Sequence, residues 1–271
     1  MGQCRKPTLI KEAIKAQHAD LVAQGFIQSL DSLPKDTQAS ILSAPFRHYF
    51  PFRSVIKEDS PSTPVRLVVD PTMTGLNLCL PKGENKIAQI PDILLEARTQ
   101  PHMWATDIRK MYNQLKLKKS SLQYQLMLFH NSMDPKVTPE VWVLTSAWYG
   151  VVNTGNQAGY AVEKLATLYK DKCPQALAPL KRRRYVDDIA SAAATIALRE
   201  QQIKECQWVL AQGGFSLKYI IRSHEPPPEG STTDGQHVKL LGYKYNPITD
   251  EISPALVPKT IESIMPKGQL S

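Results

Sequence analysis

Apolar side chains recur at helical spacing in several stretches of the chain. In residues 1–30 they repeat with the period of a helix and the pattern ends at Gly25, which predicts an N-terminal helix. The same spacing, with Pro or Gly at the boundaries, predicts further helices. They cover residues 35–42, 91–98, 158–169 and 198–212.

Shorter apolar runs between these helices predict strands. Two of them flank the pair Asp187-Asp188, and a third runs from His102 to Asp107. The others are residues 52–57, 65–70, a strand pair within 113–130 that includes 123–129, then 141–144, 215–221, and a closing hairpin of 238–245 with 250–252. Because strands and helices mix without a regular βαβ alternation, we predict an α+β fold rather than a doubly wound sheet.

The composition favours one class of partner and excludes several kinds of protein. The 271 residues carry 33 Lys and Arg against 25 Asp and Glu, and the resulting charge of +8 suits nucleic acid, although many proteins are modestly basic without binding it. The cysteines are scattered, without zinc-ligand or disulfide-framework spacing. No apolar run reaches the roughly 20 residues of a membrane span, and no signal peptide is visible. We therefore expect no membrane association and a cytoplasmic or nuclear, intracellular location.

Two adjacent carboxylates stand at the tip of the hairpin predicted around Tyr185-Val186-Asp187-Asp188. Neighbouring carboxylates at a turn repel each other unless a cation lies between them, and two-metal phosphoryl transfer uses carboxylates of this kind. A polar surface turn is the alternative, since Asp is a common turn residue. The basic run before the hairpin, Lys181–Arg184, is interpreted as solvated or phosphate-facing, and a nuclear localisation patch is the alternative.

A second predicted hairpin joins residues 52–57 to residues 65–70 and carries Lys57 and Arg66 near its polar tip. Arg can bind phosphate oxygens in a bidentate manner, so the two cations suit a triphosphate. Ordinary surface charges on a solvated hairpin are the alternative.

Several motifs occur in one order along the chain and together resemble a family. They are Arg66–Asp70 (RLVVD), Asp107 followed by Tyr112, the Gly-punctuated turn 149–157 before a helix, Tyr185–Asp188, and Leu240–Tyr243 (LLGY). In this order they resemble the reverse transcriptases of retroelements, in particular long-terminal-repeat retrotransposons of the Pao/BEL type, from about Gly25 to about Asp250. The turn after Gly150 departs from many relatives by lacking Ser-Pro.

The resemblance implies a right-hand polymerase fold. Its palm is an antiparallel sheet backed by helices, and its thumb is largely absent here. Residues 1–50 would be an N-terminal helical segment leading into the fingers, 51–250 the fingers and palm, and 251–271 a tail or the start of a missing thumb. We find no ribonuclease H, protease or integrase motif, so the chain is interpreted either as a piece of a larger pol polyprotein or as the remnant of a decayed element.

The same resemblance implies a metal site. Asp107 and Asp187 would be the main catalytic ligands, and Asp188 a more loosely held neighbour. The backbone carbonyl of Ile108 would be a further ligand. The implied cofactor is a pair of Mg²⁺ ions, with Mn²⁺ as the alternative.

Contacts with the substrates are implied as well. Lys57 and Arg66 would bind the triphosphate, and Tyr112 would exclude a ribose 2′-hydroxyl. Gly150 would belong to the segment that cradles the nascent base pair, and Lys218 would lie near the pyrophosphate as a general acid. The implied primer grip consists of Leu241, Gly242 and Tyr243.

The implied function is RNA-directed DNA polymerisation, in which dNTPs are added to the 3′-hydroxyl of a primer on an RNA or DNA template. A non-catalytic nucleic-acid-binding remnant of a retroelement is the main alternative. Binding alone gives no reason to keep Asp107, Asp187 and Asp188, which favours the enzyme. An RNA-templated RNA polymerase is a further alternative, and the bulky Tyr112 disfavours it.

Overall fold

The computed structural model of the chain describes residues 3–56, 65–84, 87–232 and 234–255. The helices are α1 (Thr8–Ala23), α2 (Lys35–Ser43), α3 (Leu76–Cys79), α4 (Ile90–Ala97), α5 (Thr154–Leu168), α6 (Leu177–Lys181) and α7 (Ile196–Gln212). The strands are β1 (Ile27–Ser29), β2 (Phe52–Ile56), β3 (Val65–Val69), β4 (His102–Asp107), β5 (Leu126–Phe129), β6 (Glu140–Leu144), β7 (Arg184–Tyr185), β8 (Asp188–Ala193), β9 (Ile221–Arg222), β10 (Val238–Leu240), β11 (Tyr243–Asn246) and β12 (Glu251–Pro254). Within these ranges, no helix is both long and apolar enough to cross a membrane.

The largest sheet, here called the central sheet, has the strand order β7-β8-β4-β9 and is antiparallel throughout. The β4–β8 pair runs from His102 opposite Ala193 to Asp107 opposite Asp188. Successive residues of a strand point to opposite faces, and both faces of this pair are covered. The mixture of helices with antiparallel sheets confirms the α+β class.

Helices cover one face of the central sheet. Trp104 and Ile189 pack there against buried residues of α5 and α7, among them Val162 and Val209. Trp104 is fully buried, and its indole N–H donates to Gln202 Oε1 of α7 at 2.9 Å. The end of β4 therefore lies on a scaffold that leaves its backbone little freedom.

Helix α4 and the β10–β11–β12 sheet cover the opposite face. Met103 and Ala105 pack there with Ile93 of α4 and with Tyr245, which is 0 % exposed. The hydroxyl of Tyr245 donates to Asp250 at 2.8 Å. Small alanines in β8 allow this second layer to approach the sheet closely.

The N-terminal segment shares a core with the β2–β3 hairpin and the β1–β6–β5 sheet. Ile14 and Phe26 pack in it with Val69 of β3 and Phe129 of β5. His18 of α1 is buried in the same core, stacked on Phe129 at a centroid distance of 3.8 Å. Residues before and after position 50 thus stabilise each other by burial of apolar surface.

Most predicted elements are confirmed to within a few residues at their ends. Two boundaries differ. The predicted helix over 1–30 ends at Ala23, because Gly25 has φ +68° and residues 27–29 pair with β6 as strand β1. Helix α5 begins at Thr154 rather than 158, so the Gly-punctuated turn is shorter than predicted.

The predicted strand pair within 113–130 is wrong in its first half. Lys119–Tyr124 forms a 3-10 helix, and the strand is confined to Leu126–Phe129. Leu122 is buried, and the N–H of His48 donates to the carbonyl of Gln123 at 3.0 Å. The backbone of this stretch is therefore satisfied outside a regular ladder.

Two predicted strands near the end of the chain are also shorter. The predicted strand 215–221 is regular only at Ile221–Arg222, with a single bridge between Leu217 and Ile108 before it. The predicted strand 238–245 is two strands, because Leu241 at φ +50° and Gly242 at φ +88° form a tight turn. Consecutive left-handed residues are the geometry of a two-residue hairpin turn. The predicted thumb start lies mostly in residues 256–271, outside the described residues.

Candidate active site

The hairpin of β7 and β8 brings its two aspartates to the end of β4. Asp107, the last residue of β4, is the register partner of Asp188, the first residue of β8. The N–H of Ile108 donates to the carbonyl of Asp187 at 2.8 Å. Register partners of an antiparallel pair share one face, so carboxylates from distant parts of the chain converge at one edge of the central sheet.

The turn of this hairpin has a strained backbone that a buried arginine supports. Val186 has φ +53°, a conformation that β-branched residues avoid. Arg184 is 7 % exposed and donates to the carbonyls of Leu180 at 3.1 Å, Gly159 at 3.3 Å and Val186. Such strain persists only where the surroundings hold it, and it clusters at functional sites. The interpretation of Arg184 as solvated or phosphate-facing is therefore wrong.

Lys218 lies directly against Asp107. Its backbone N–H donates to the Asp107 carbonyl at 2.9 Å, and the N–H of Arg109 donates to the carbonyl of Ser216 at 2.8 Å. The Lys218 ammonium is 2.8 Å from Asp107 Oδ2. The other oxygen, Asp107 Oδ1, is buried without a hydrogen-bond partner among the described residues.

Burial and mutual repulsion favour the protonated forms of the other two carboxyls. Burial, followed by the charges of Asp187 and Asp107, raises the pKa of Asp188 to about 7. Burial and the charge of Asp107 also raise the pKa of Asp187. The positive charge of Lys218 opposes both shifts. Because one lysine does not offset the negative charge of these neighbouring, partly buried carboxylates, a bound cation would stabilise their ionised forms.

The donor set fits Mg²⁺. Carboxylate and carbonyl oxygens are the ligands that Mg²⁺ prefers, and it commonly takes one or two protein carboxylates while waters and substrate phosphates complete its shell. The unpartnered Asp107 Oδ1 is an acceptor that an ion would satisfy. Across the described ranges, no three His, Cys, Asp or Glu side chains already converge as a complete ligand set. The described residues thus supply part of the shell of an ion and no closed structural metal centre.

Tyr112 forms an aromatic pair with a residue that the sequence did not single out, Tyr149. Their ring centroids are 4.6 Å apart, and both rings lie close enough to Asp187 for its charge to act on them. Partial burial, followed by the charge of Asp187, raises the pKa of Tyr149 to about 12, although 43 % of this residue is exposed. The same two causes raise the pKa of Tyr112. Both hydroxyls are therefore neutral at physiological pH. A Cβ at Gly155 would lie 3.3 Å from the Tyr112 hydroxyl, so glycine leaves room for this ring.

Gly150 connects the active-site side of the molecule to strand β3. Its φ is +99°, and a Cβ there would lie 2.9 Å from the carbonyl oxygen of Val69. Asn77 holds the same turn, since its amide donates to the Gly150 carbonyl at 2.9 Å and accepts from the N–H of Val152 at 3.0 Å. Glycine is required by both the backbone angle and the close approach.

Arg66 lies on the same strand β3, where it is exposed, and its positive charge acts on Tyr149. Arg66 is therefore close enough to Tyr149 for its charge to act there. Lys57 lies outside the described residues.

The predicted primer-grip residues lie at the β10–β11 turn. Leu241 is 6 % exposed and packs in the core beneath the central sheet, while Gly242 forms the turn and Tyr243 is half-buried. Lys239 of β10 lies two residues before Leu241, and its positive charge acts on Asp188. This hairpin is therefore near the aspartates, and within the described part of the chain no hydrogen bond joins it to them.

Several residues that position the site were missed from the sequence. Tyr149 and Asn77 act through partners far away in the chain, so spacing gave no signal for them. Arg184 contacts the nearby Leu180 and Val186 as well as the distant Gly159, but its burial is set by the tertiary fold. One signal was available: Val186 is a β-branched residue directly before two aspartates in a predicted tight turn, which requires a strained backbone and hence a support.

Solved structures of foamy virus protease-reverse transcriptase are similar to this chain. The foamy viral protein in complex with an RNA/DNA hybrid superposes with a TM-score of 0.61 at 16 % identity, over 92 % of this chain and 27 % of that one. Its dRH form in complex with double-stranded DNA gives a TM-score of 0.60 at 15 % identity, over 94 % and 38 %. The native protein of prototype foamy virus gives 0.57 at 16 % identity, over 91 % and 26 %.

The chain spans less than two fifths of the length of these structures. No family model matches it, and no curated protein sequence does. The similarity extends over nearly the whole of this chain at low identity, so it concerns the fold. The chain has a reverse-transcriptase-like fold of antiparallel sheets and helices.

Proposed function

We propose that this chain is the catalytic core of an RNA-directed DNA polymerase, which adds dNTPs to a primer 3′-hydroxyl on an RNA or DNA template. The observation that carries the proposal is the pairing of Asp107 with Asp188 at the end of β4 and β8, with Asp187 at the adjacent turn. The reverse-transcriptase-like fold supports it, as does the net charge of +8. Neighbours with this fold were solved with an RNA/DNA hybrid and with double-stranded DNA.

In this proposal the central sheet is the palm, and the β2–β3 hairpin belongs to the fingers. The order of the motifs along the chain resembles that of Pao/BEL-type retrotransposons, and this order supports the division into fingers and palm. A pol polyprotein is the corresponding context, with ribonuclease H and integrase as separate parts.

Asp107, Asp187 and Asp188, with the Ile108 carbonyl, would hold two divalent ions, Mg²⁺ or alternatively Mn²⁺. When bound, such ions lower the pKa of the primer hydroxyl and offset the charge of the departing pyrophosphate. The chain contributes position: Asp107 stands on a strand buried on both faces, and Arg184 supports the turn that carries Asp187. In-line phosphoryl transfer needs alignment and charge neutralisation more than covalent chemistry.

The remaining residues would bind the nucleotide. Arg66 and Lys57 bind the triphosphate, and Lys218 donates a proton to the leaving pyrophosphate. Tyr112, braced by Tyr149, forms the wall beside the sugar C2′ and excludes a 2′-hydroxyl. Gly150 lets the turn approach the nascent base pair, and Leu241, Gly242 and Tyr243 hold the primer end.

The test is primer extension by the full chain on primed RNA and DNA templates with Mg²⁺ and dNTPs. The double variant Asp187→Asn Asp188→Asn removes both charges of the turn without changing its shape. Asp171→Asn is the matched control, because Asp171 is an exposed aspartate outside the site. A parallel reaction contains rNTPs.

Extension by the wild type and by Asp171→Asn, lost in the double variant and weak with rNTPs, would establish the proposed activity. Salt-sensitive binding to the primed templates without extension under any of these conditions would contradict it. That result would assign the fold to binding alone.

A further inference from the structure

We infer that Lys218 is an internal counter-ion, which occupies the cation position beside Asp107 when no divalent ion is bound and is displaced when one binds. The inference rests on the proposed function, because it takes Asp107 as a metal ligand. It goes further in assigning Lys218 a role before any nucleotide is present.

The backbone places the start of the Lys218 side chain beside Asp107. Hydrogen bonds join the N–H of Lys218 to the Asp107 carbonyl at 2.9 Å and the N–H of Arg109 to the Ser216 carbonyl at 2.8 Å. A bridge between Ile108 and Leu217 lies between them. Segment 216–218 is thus pinned along the end of β4, and the lysine side chain starts beside the carboxylate.

The ion pair itself is movable. The Lys218 side chain is 39 % exposed and the Asp107 side chain 31 % exposed. Lysine has a flexible four-carbon stem and a compact charge, so its ammonium can leave one partner for another without a change in the backbone. Ion pairs at this exposure are weak enough to be exchanged.

The surrounding charges explain why a counter-ion is needed. Within the described ranges, the Lys218–Asp107 pair is the only salt bridge made by any of Asp107, Asp187 and Asp188. Arg184 donates to backbone carbonyls beneath the turn and acts on Asp187 only through its charge, as Lys239 does on Asp188. Without Lys218, the metal-free site would hold three carboxyls in mutual repulsion.

A divalent ion on Asp107 competes with this ammonium. Both need the same negative charge, and two cations this close repel each other. Metal binding would therefore release Lys218 toward the triphosphate, where the proposed function needs it. Lys218 could therefore reach the departing pyrophosphate only after a divalent ion has bound to Asp107.

The test compares metal affinity with metal-free stability in the full chain. Mn²⁺ binding is followed by the electron paramagnetic resonance signal of free Mn²⁺, and thermal unfolding is measured in EDTA. The variants are Lys218→Met and Lys218→Arg, with Lys239→Met as the control for general loss of charge. Lys218→Gln replaces Lys218→Met if the latter does not fold.

Lys218→Met should bind Mn²⁺ about fivefold more tightly than the wild type, yet unfold at a lower temperature in EDTA. If Lys218 had a merely structural role, its substitution would lower both the Mn²⁺ affinity and the unfolding temperature. Lys218→Arg keeps the charge and should bind Mn²⁺ like the wild type, and Lys239→Met should change the affinity less than Lys218→Met.

Unchanged or weaker Mn²⁺ binding by Lys218→Met would overturn the inference, as would equal tightening by Lys239→Met. Asp107→Asn separates this failure from failure of the proposed function. If Asp107→Asn abolishes Mn²⁺ binding while Lys218→Met does not tighten it, the metal site stands and only the inference falls. If the wild type binds no Mn²⁺ through Asp107, both fall.

Discussion

Asp107 and Asp188 face each other across the β4–β8 pair, and the Lys218 ammonium contacts only the first of them. Asp188 is left with burial and two negative neighbours, which together raise its pKa to about 7. This imbalance has consequences for stability as well as for chemistry.

In EDTA at pH 8, Asp188→Asn should raise the free energy of unfolding by an amount on the order of 4 kcal/mol. The folded-state pKa of Asp188, about 7, lies above the ordinary value of 3.8, so the folded state binds more protons between these values. Wild-type stability is therefore lost as the pH rises through this window. Asn cannot ionise, and its advantage should disappear near pH 4.

Urea unfolding at pH 4, 6 and 8 measures this difference. Asp171→Asn, at an exposed aspartate, should show no such gain. A stability gain that does not depend on pH would contradict the electrostatic explanation.

His18 should make the fold sensitive to acid. Burial lowers its pKa from 6.5 to about 4. Its ring stacks on Phe129 and meets Trp142 edge to face, and Nε2 lacks a partner among the described residues. The unfolded state binds more protons between these pH values, so stability is complete above pH 6.5 and is lost as the pH falls toward 4. The loss of stability should be on the order of 3 kcal/mol.

His18→Phe keeps the aromatic stack and cannot titrate, so its stability should change less between pH 7 and pH 4.5 than that of the wild type. His237→Gln is the control at a partly exposed histidine. Equal acid sensitivity of His18→Phe and the wild type, measured by chemical denaturation, would rule out this histidine as the cause.

Gly150→Ala should destabilise the protein and weaken nucleotide binding. The new Cβ would lie 2.9 Å from the Val69 carbonyl, at a φ of +99°, and we expect a loss of about 2 kcal/mol. Gly214→Ala is matched to it, because Gly214 has φ +76° with open space around it. The control should lose about 1 kcal/mol and keep its KM for dNTP. Equal effects of the two substitutions would show that the Val69 contact is unimportant.

Tyr112→Val should increase the use of rNTPs relative to dNTPs by about 50-fold. In the proposed function the Tyr112 ring, paired with Tyr149, excludes the 2′-hydroxyl, and valine would remove that ring. The ratio of kcat/KM for dGTP and GTP on one primed template measures the change. Tyr149→Phe retains the ring and should leave the ratio nearly unchanged. If Tyr112→Val discriminates as well as the wild type, another residue excludes the 2′-hydroxyl.

Local patterns predicted the parts of the site that are continuous in sequence. The apolar run ending at Asp107 and the small-residue run after Asp188 are both strands buried on two faces, so their character is visible without knowledge of their partners. The hairpin turn at Val186 was predictable because Asp187 and Asp188, which are common turn residues, lie next to it. The α+β class follows in the same way from the irregular mixture of patterns.

The rest depends on contacts between distant segments. The Lys218–Asp107 ion pair joins residues that are 111 positions apart, and the Tyr112–Tyr149 pair is equally invisible to spacing. Leu241 at φ +50° has no turn propensity of its own, so the division of residues 238–245 into two strands could not be predicted. Lys119–Tyr124 forms a 3-10 helix because the chain around His48 pairs with its backbone, which overrides the local alternation.

Single-nucleotide incorporation on a primed RNA template, compared between the wild type and Asp107→Asn under single-turnover conditions, tests the central claim most directly. Asn keeps the shape of Asp107 and removes its charge. We predict a rate at least several hundred-fold lower, which corresponds to about 4 kcal/mol in the barrier. Equal incorporation rates for the two proteins would contradict the assignment of Asp107 and, with it, the proposed active site.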